Sequence, residues 1–291
     1  MDKLQTAINR ISAFGLADDL EARKVVAELE LVSQHASAHS LQFSEELMCQ
    51  CIDLLEELPR VSIATGALIM LLANACLIDE NLSLASRYGL PALCVLVLQS
   101  QAELSNETLF YMFDLMSTLS SREGYVRQCL RPGIPYVLEA MKQRMKSLDV
   151  LFGGCFLLST MTILDESNCE LTVRRGGMQV VINIYRYALK RLSELTMNQK
   201  TNTGLEESTR ECVLAHLKKE KQAEYVHLCK GILRWCKNIL QNLCRADSPT
   251  IDATLPTLDY GQYGTSIEMD DLKWTLVFER KKRKTSIEPL A

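Results

Sequence analysis

Apolar positions along this chain follow helical patterning only, and the same pattern recurs at a fixed spacing. Leu68-Ile-Met-Leu-Leu-Ala-Asn-Ala-Cys-Leu-Ile-Asp, Met112-Phe-Asp-Leu-Met-Ser-Thr-Leu-Ser-Ser-Arg-Glu and Phe156-Leu-Leu-Ser-Thr-Met-Thr-Ile-Leu-Asp-Glu-Ser each read as an apolar helix closed by a polar turn. After each comes a glycine, Gly89, Gly133 and Gly177, spaced 44 residues apart and opening a second apolar run. Each glycine is expected to end the short helix before it, because it takes positive φ without a Cβ clash. Pro91 and Pro135 then suit the first turn of the helix that follows.

Ahead of the first full copy, helices are expected near 3–14, 18–37 and 43–57, the last stopping before Pro59. Counting back 44 residues from Gly89 lands on Glu45, so Phe43-Ser-Glu-Glu-Leu-Met fits a degenerate copy that has lost its glycine. Ser44 is its expected N-cap, with a hydroxyl placed to accept an orphan backbone N–H.

At the other end, Asn238-Ile-Leu-Gln-Asn-Leu-Cys-Arg reads as a further copy, displaced in sequence. Gly89 to Thr118 and Gly133 to Thr162 span 29 residues, whereas Gly177 to Asn242 spans 65, which implies an insertion of 36 residues over roughly 191–225. Its middle, Asn198 to Ser208, is polar and contains Gly204, so long helices joined by an exposed loop are expected there. After Asp247 prolines and glycines replace the helical pattern. The chain is therefore read as a helical region over 1–250 and a tail over 251–291, in which Trp274 and Phe278 form an aromatic pair expected to dock on the chain itself or on a partner.

A helical period of 40 to 47 residues belongs to the armadillo and HEAT class of α-solenoids, whose copies bury their apolar faces only by stacking. Arg131-Pro-Gly-Ile-Pro-Tyr-Val-Leu-Glu-Ala-Met resembles the armadillo repeat, which carries Gly-Gly-Ile-Pro-x-Leu-Val-x-Leu-Leu at this point. The resemblance implies an all-α superhelix whose third helices line a groove for extended peptides. In the armadillo import receptors that groove holds an asparagine ladder, each asparagine preceded by a tryptophan four residues earlier. The asparagine positions map here to Asn74, Thr118, Thr162 and Asn242, and the tryptophan positions to Met70, Asp114, Leu158 and Asn238. Without the indoles that hold lysine stems, the resemblance argues against an import receptor.

Composition narrows the function further. A net charge of -4 gives no global basic field, so nucleic acid is not the expected partner. Cysteines such as Cys76, Cys94, Cys129, Cys155 and Cys236 sit in apolar stretches and are expected as free core thiols, which fits a reducing, cytoplasmic location. The longest apolar stretches are too short to span a bilayer.

The four histidines form no nucleophile motif, and no phosphate-binding glycine loop occurs, so neither catalysis nor a cofactor is expected. Cys49 with Cys51, and Cys212 with His216, fall short of a zinc ligand set. Arg280, Lys281, Lys282, Arg283 and Lys284 form a basic run that suits a nuclear localisation signal, an anionic membrane or an acidic partner. Ser286 beside it is a candidate phosphosite. The expected function is a non-catalytic scaffold or adaptor that binds other proteins. The alternatives are an adaptor moving between cytoplasm and nucleus, and a regulatory subunit inhibited by its own tail.

Overall fold

The structure, a computed structural model, describes residues 5–9, 27, 42–58, 63–121, 124–201, 209–246 and 248–254, with side chains for all of these except 198–219. Every regular element among them is helical. In order these are α1 (Glu45–Glu57), α2 (Ile63–Ala75), α3 (Asp79–Arg87), α4 (Leu90–Gln99), α5 (Asn106–Ser120), α6 (Gly124–Leu130), α7 (Ile134–Gln143), α8 (Leu148–Thr162), α9 (Glu166–Arg174), α10 (Gly177–Thr201), α11 (Thr209–Arg245) and α12 (Pro249–Thr254). Of the expected helices at 3–14 and 18–37, residues 5–9 are helical and most of the rest lies outside the described residues. Trp274, Phe278, Arg280, Lys281, Lys282, Arg283, Lys284 and Ser286 also lie outside them. No described helix is long and apolar enough to cross a membrane.

A long helix, a short helix and a helix opened by one of the spaced glycines follow one another three times, as α2 to α4, α5 to α7, and α8 to α10. The glycines behave differently in each copy. Gly89 has φ 82° with open space around its missing Cβ, and α3 meets α4 there at a bend of 70°. In the third copy the positive φ, 74°, falls on Gly176, one residue earlier than expected. Gly177 is needed for room instead, since a β-carbon there would lie 2.7 Å from the carbonyl oxygen of Thr172. Gly133 has no positive φ, because Arg131–Gly133 form a 3₁₀ turn that carries the chain from α6 into α7. A β-carbon at Gly133 would sit 3.2 Å from Met116 Cε, so close packing is what that position requires.

The chain forms two compact units, Met1–Ala140 and Met141–Ala291. In the first, α2 is apolar on nearly all sides and packs along α5, with Leu68, Ile69, Leu72, Met112, Phe113 and Met116 in the core. Gly66 lets the two helices close up, since a β-carbon there would meet Thr108 Oγ1 at 2.7 Å. Helix α1 lies against α2, α3 and α4, and Ser44 caps it as expected, accepting from Leu47 N at 3.2 Å. Buried Asn81 ties the corner by accepting from Phe43 N at 2.8 Å and donating to Ala75 O at 2.9 Å. Satisfying these buried backbone groups avoids a cost of about 1–3 kcal/mol each.

In the second unit, α8 and α10 both pack along the long helix α11. Leu151, Leu157, Met161, Ile182, Tyr185 and Ile239 fill its core. Gly154 faces Met141, whose Cγ would lie 2.7 Å from an added β-carbon, so this glycine within α8 serves helix packing. Asn168 repeats the role of Asn81, donating to Met161 O at 2.8 Å near the end of the long helix before it. Long helices do flank the inserted segment, as α10 and α11; of the loop expected over 198–208, residues 198–201 instead continue α10 to Thr201, and 202–208 lie outside the described residues.

Candidate functional site

The residues mapped to a groove by resemblance fall on the long helices α2, α5, α8 and α11, with unequal access. In the first unit Met70 is buried, while Asn74, Asp114 and Thr118 are half-buried. Burial pushes the Asp114 carboxyl above the usual carboxylate range. Phe110 and Tyr111 beside it are half-buried and meet edge to face at 5.6 Å.

In the second unit Leu158 and Thr162 are buried, which removes both from the surface. Thr162 Oγ1 donates to Leu158 O at 2.7 Å, the back-bond a threonine makes to its own helix. Asn242 Nδ2 then donates to Thr162 Oγ1 at 3.2 Å, with Ser159 O a second acceptor at 3.4 Å, so this amide joins α11 to α8. The Cys169 thiol closes the corner, 3.2 Å from Thr162 O and 3.7 Å from Asn242 O. Burial, reinforced by Asp165 and Glu166, pushes it up to about 12.

Where α8 meets α11 this unit carries a half-buried aromatic cluster. Phe152 and Phe156 stand one turn apart on α8, and Trp235 on α11 meets Phe156 with ring centroids 4.9 Å apart. All three are half-buried. Trp235, Asn238 and Asn242 follow at i, i+3 and i+7, which places them along one side of α11. Gly231, one turn before Trp235, leaves the space the Phe152 ring occupies. Beyond the end of α8 the exposed apolar side chains continue with Ile163 and Leu164, the latter 97% exposed and held at φ 52°. A leucine with positive φ is a strained residue, and such strain collects at functional surfaces.

Trp235 is absent from the positions mapped by resemblance because it lies seven residues before Asn242, two turns rather than one. The spacing of Trp235, Asn238 and Asn242 on one helix face was the available signal. Its partner Phe156 comes from a helix 79 residues away in sequence, a pairing that only the packing reveals.

The cysteines are mainly core residues. Cys51, Cys76, Cys94, Cys155 and Cys236 are buried, and the last two thiols lie 3.6 Å apart between α8 and α11. Cys129 departs from the expectation and is exposed, because the short helix α6 buries only Val126 and Leu130 among its residues. Among the described residues no three His, Cys, Asp or Glu side chains converge where they could hold a metal ion.

These features define an all-α protein of packed helices with a half-exposed aromatic and amide surface on its second unit. No family model matches the chain, and no curated protein matches it in sequence. In fold it is similar to the crystal structure of an engineered protein determined by the Northeast Structural Genomics Consortium, with a TM-score of 0.59 and 12% identity over 97% of this chain and 98% of that chain.

Proposed function

We propose that this chain is a non-catalytic protein-binding scaffold of the armadillo type, which holds a partner segment on the long helices of its repeats. The observation that carries this reading is the Phe156–Trp235 pair, in tilted contact with ring centroids 4.9 Å apart yet half-exposed, with Asn238 on the same face of α11 as Trp235. Aromatic anchors with neighbouring amides are what a peptide-binding surface uses: the rings take apolar side chains and the amides pair with backbone groups. Support for the armadillo type comes from the triad of helices that recurs every 42–45 residues and from the Gly-Ile-Pro run at Gly133.

The test is selection of binders from a random peptide display library against the full chain. Selected peptides should lose about tenfold or more in affinity on Trp235→Ala, the scale of an interface anchor, with helical content unchanged. A library that yields no binder, or binders indifferent to both Trp235 and Phe156, would overturn the reading.

A further inference from the structure

Although the whole chain is net acidic, the stretch of α11 from Tyr225 to Arg245 contains Lys230, Arg234, Lys237 and Arg245 and no Asp or Glu. Its described neighbour α10 is similar, with no carboxylate between Leu171 and Ser193. The two acids that flank that second stretch are already engaged: Glu170 pairs with Arg174, and Glu194 with Arg191. Lys230, Arg234 and Lys237 are exposed, and among the described residues no carboxylate pairs with any of them. The Arg234 guanidinium instead lies 5.1 Å from the centre of the Trp235 ring, and the Lys237 ammonium 5.9 Å from that of Tyr185.

One side of α11 therefore carries cations, and its edge against α8 carries the Phe156–Trp235 pair. We propose that the occupant of this surface is an acidic peptide segment with an apolar or aromatic anchor, whose carboxylates meet Lys230, Arg234 and Lys237 while the anchor seats against Trp235 and Phe156. The inference rests on the peptide-binding reading above and narrows it to a partner chemistry. Charge complementarity is the argument: a basic segment would be repelled by the three cations, and a neutral one would leave them without counter-charges. Guanidinium and ammonium groups held over rings are already oriented, so less freedom is lost when a carboxylate arrives.

The test uses the full chain and three synthetic peptides that share one central tryptophan and differ only in flanks of Glu, Ser or Lys, titrated by fluorescence anisotropy. The acidic peptide should bind tightest, by about tenfold over the serine peptide, and should weaken as salt rises. The combined variant Lys230→Gln, Arg234→Gln, Lys237→Gln should abolish that preference and leave the serine peptide's affinity unchanged. Trp235→Ala should weaken both. Equal or tighter binding of the serine or lysine peptide would overturn the charge assignment alone. Absence of binding by all three would overturn the peptide-binding reading with it. Preference for phosphatidylserine-containing vesicles or single-stranded nucleic acid over the acidic peptide would also overturn the proposal, since both share the anionic chemistry without the peptide.

Discussion

Asn242 donates its side-chain amide to Thr162 Oγ1 at 3.2 Å, so two positions that the repeat pattern treats as equivalent rungs are bonded to each other across α8 and α11. The threonine hydroxyl spends its own proton on Leu158 O and is left as an acceptor, which fixes the direction of the bond. Thr162→Val removes that acceptor and should cost about 1–2 kcal/mol in a urea titration. A double-mutant cycle with Asn242→Ala should return a coupling of about 0.5–1.5 kcal/mol. Additive effects would mean that the amide does not depend on the threonine.

The three glycines at one spacing have different physical reasons, and substitution separates them. At Gly89 the backbone is left-handed and the surroundings are open, so Gly89→Ala should cost about 1–2 kcal/mol while Gly89→Asn, which tolerates that conformation, costs less. At Gly177 the obstacle is the Thr172 carbonyl rather than the dihedral, so Ala and Asn should both destabilise, with Asn the worse of the two. Thermal midpoints of the four variants check the reversal in rank. The same rank at both sites would refute the distinction.

The helices were legible in the sequence because their apolar pattern and caps are local signals, as at Ser44, while the spaced glycines, Gly89 among them, came from comparing stretches 44 residues apart. The displacement of positive φ to Gly176 was not legible, since Gly176 and Gly177 adjoin and only the approach of Thr172 tells them apart. Nor was the burial of Leu158, which an alignment to exposed ladder positions places at the surface; its environment depends on helix packing within the second unit. Trp235 escaped for the same reason, because its ring takes its meaning from Phe156 across the helix pair. The repeat pattern marks the helices, and tertiary contacts decide which of their faces are exposed.

Leu164 presents an apolar side chain almost wholly to solvent while its backbone sits at φ 52°, a combination unfavourable on both counts for stability. Leu164→Asn relieves the strain and should stabilise the fold by about 0.5–1 kcal/mol, read from the urea midpoint at constant slope. If the exposed leucine belongs to the binding surface, the same variant should bind selected peptides more weakly. Greater stability with weaker binding is the expected pair of results. A loss of stability would show that contacts of Leu164 outweigh its strain.

The buried thiols make stability depend on alkaline pH in a direction that can be worked out. Burial pushes Cys51 and Cys76 from an ordinary value of 9.0 up to about 12, so each stays protonated in the folded chain after its unfolded counterpart has ionised. Their contribution is fully present below pH 9 and is lost as pH rises from there towards 12, because the unfolded state then binds fewer protons. The limiting slope is about 1.4 kcal/mol per pH unit for each thiol. Urea midpoints measured on either side of pH 9 should fall with pH, and Cys51→Ala with Cys76→Ala should flatten the fall even though the cavities lower stability at every pH. At neutral pH the exposed Cys129 should react with a thiol reagent on the native chain, whereas Cys51 and Cys76 react only on unfolding. Rapid native labelling of Cys51 would mean that the packing around α1 opens more readily than its burial implies.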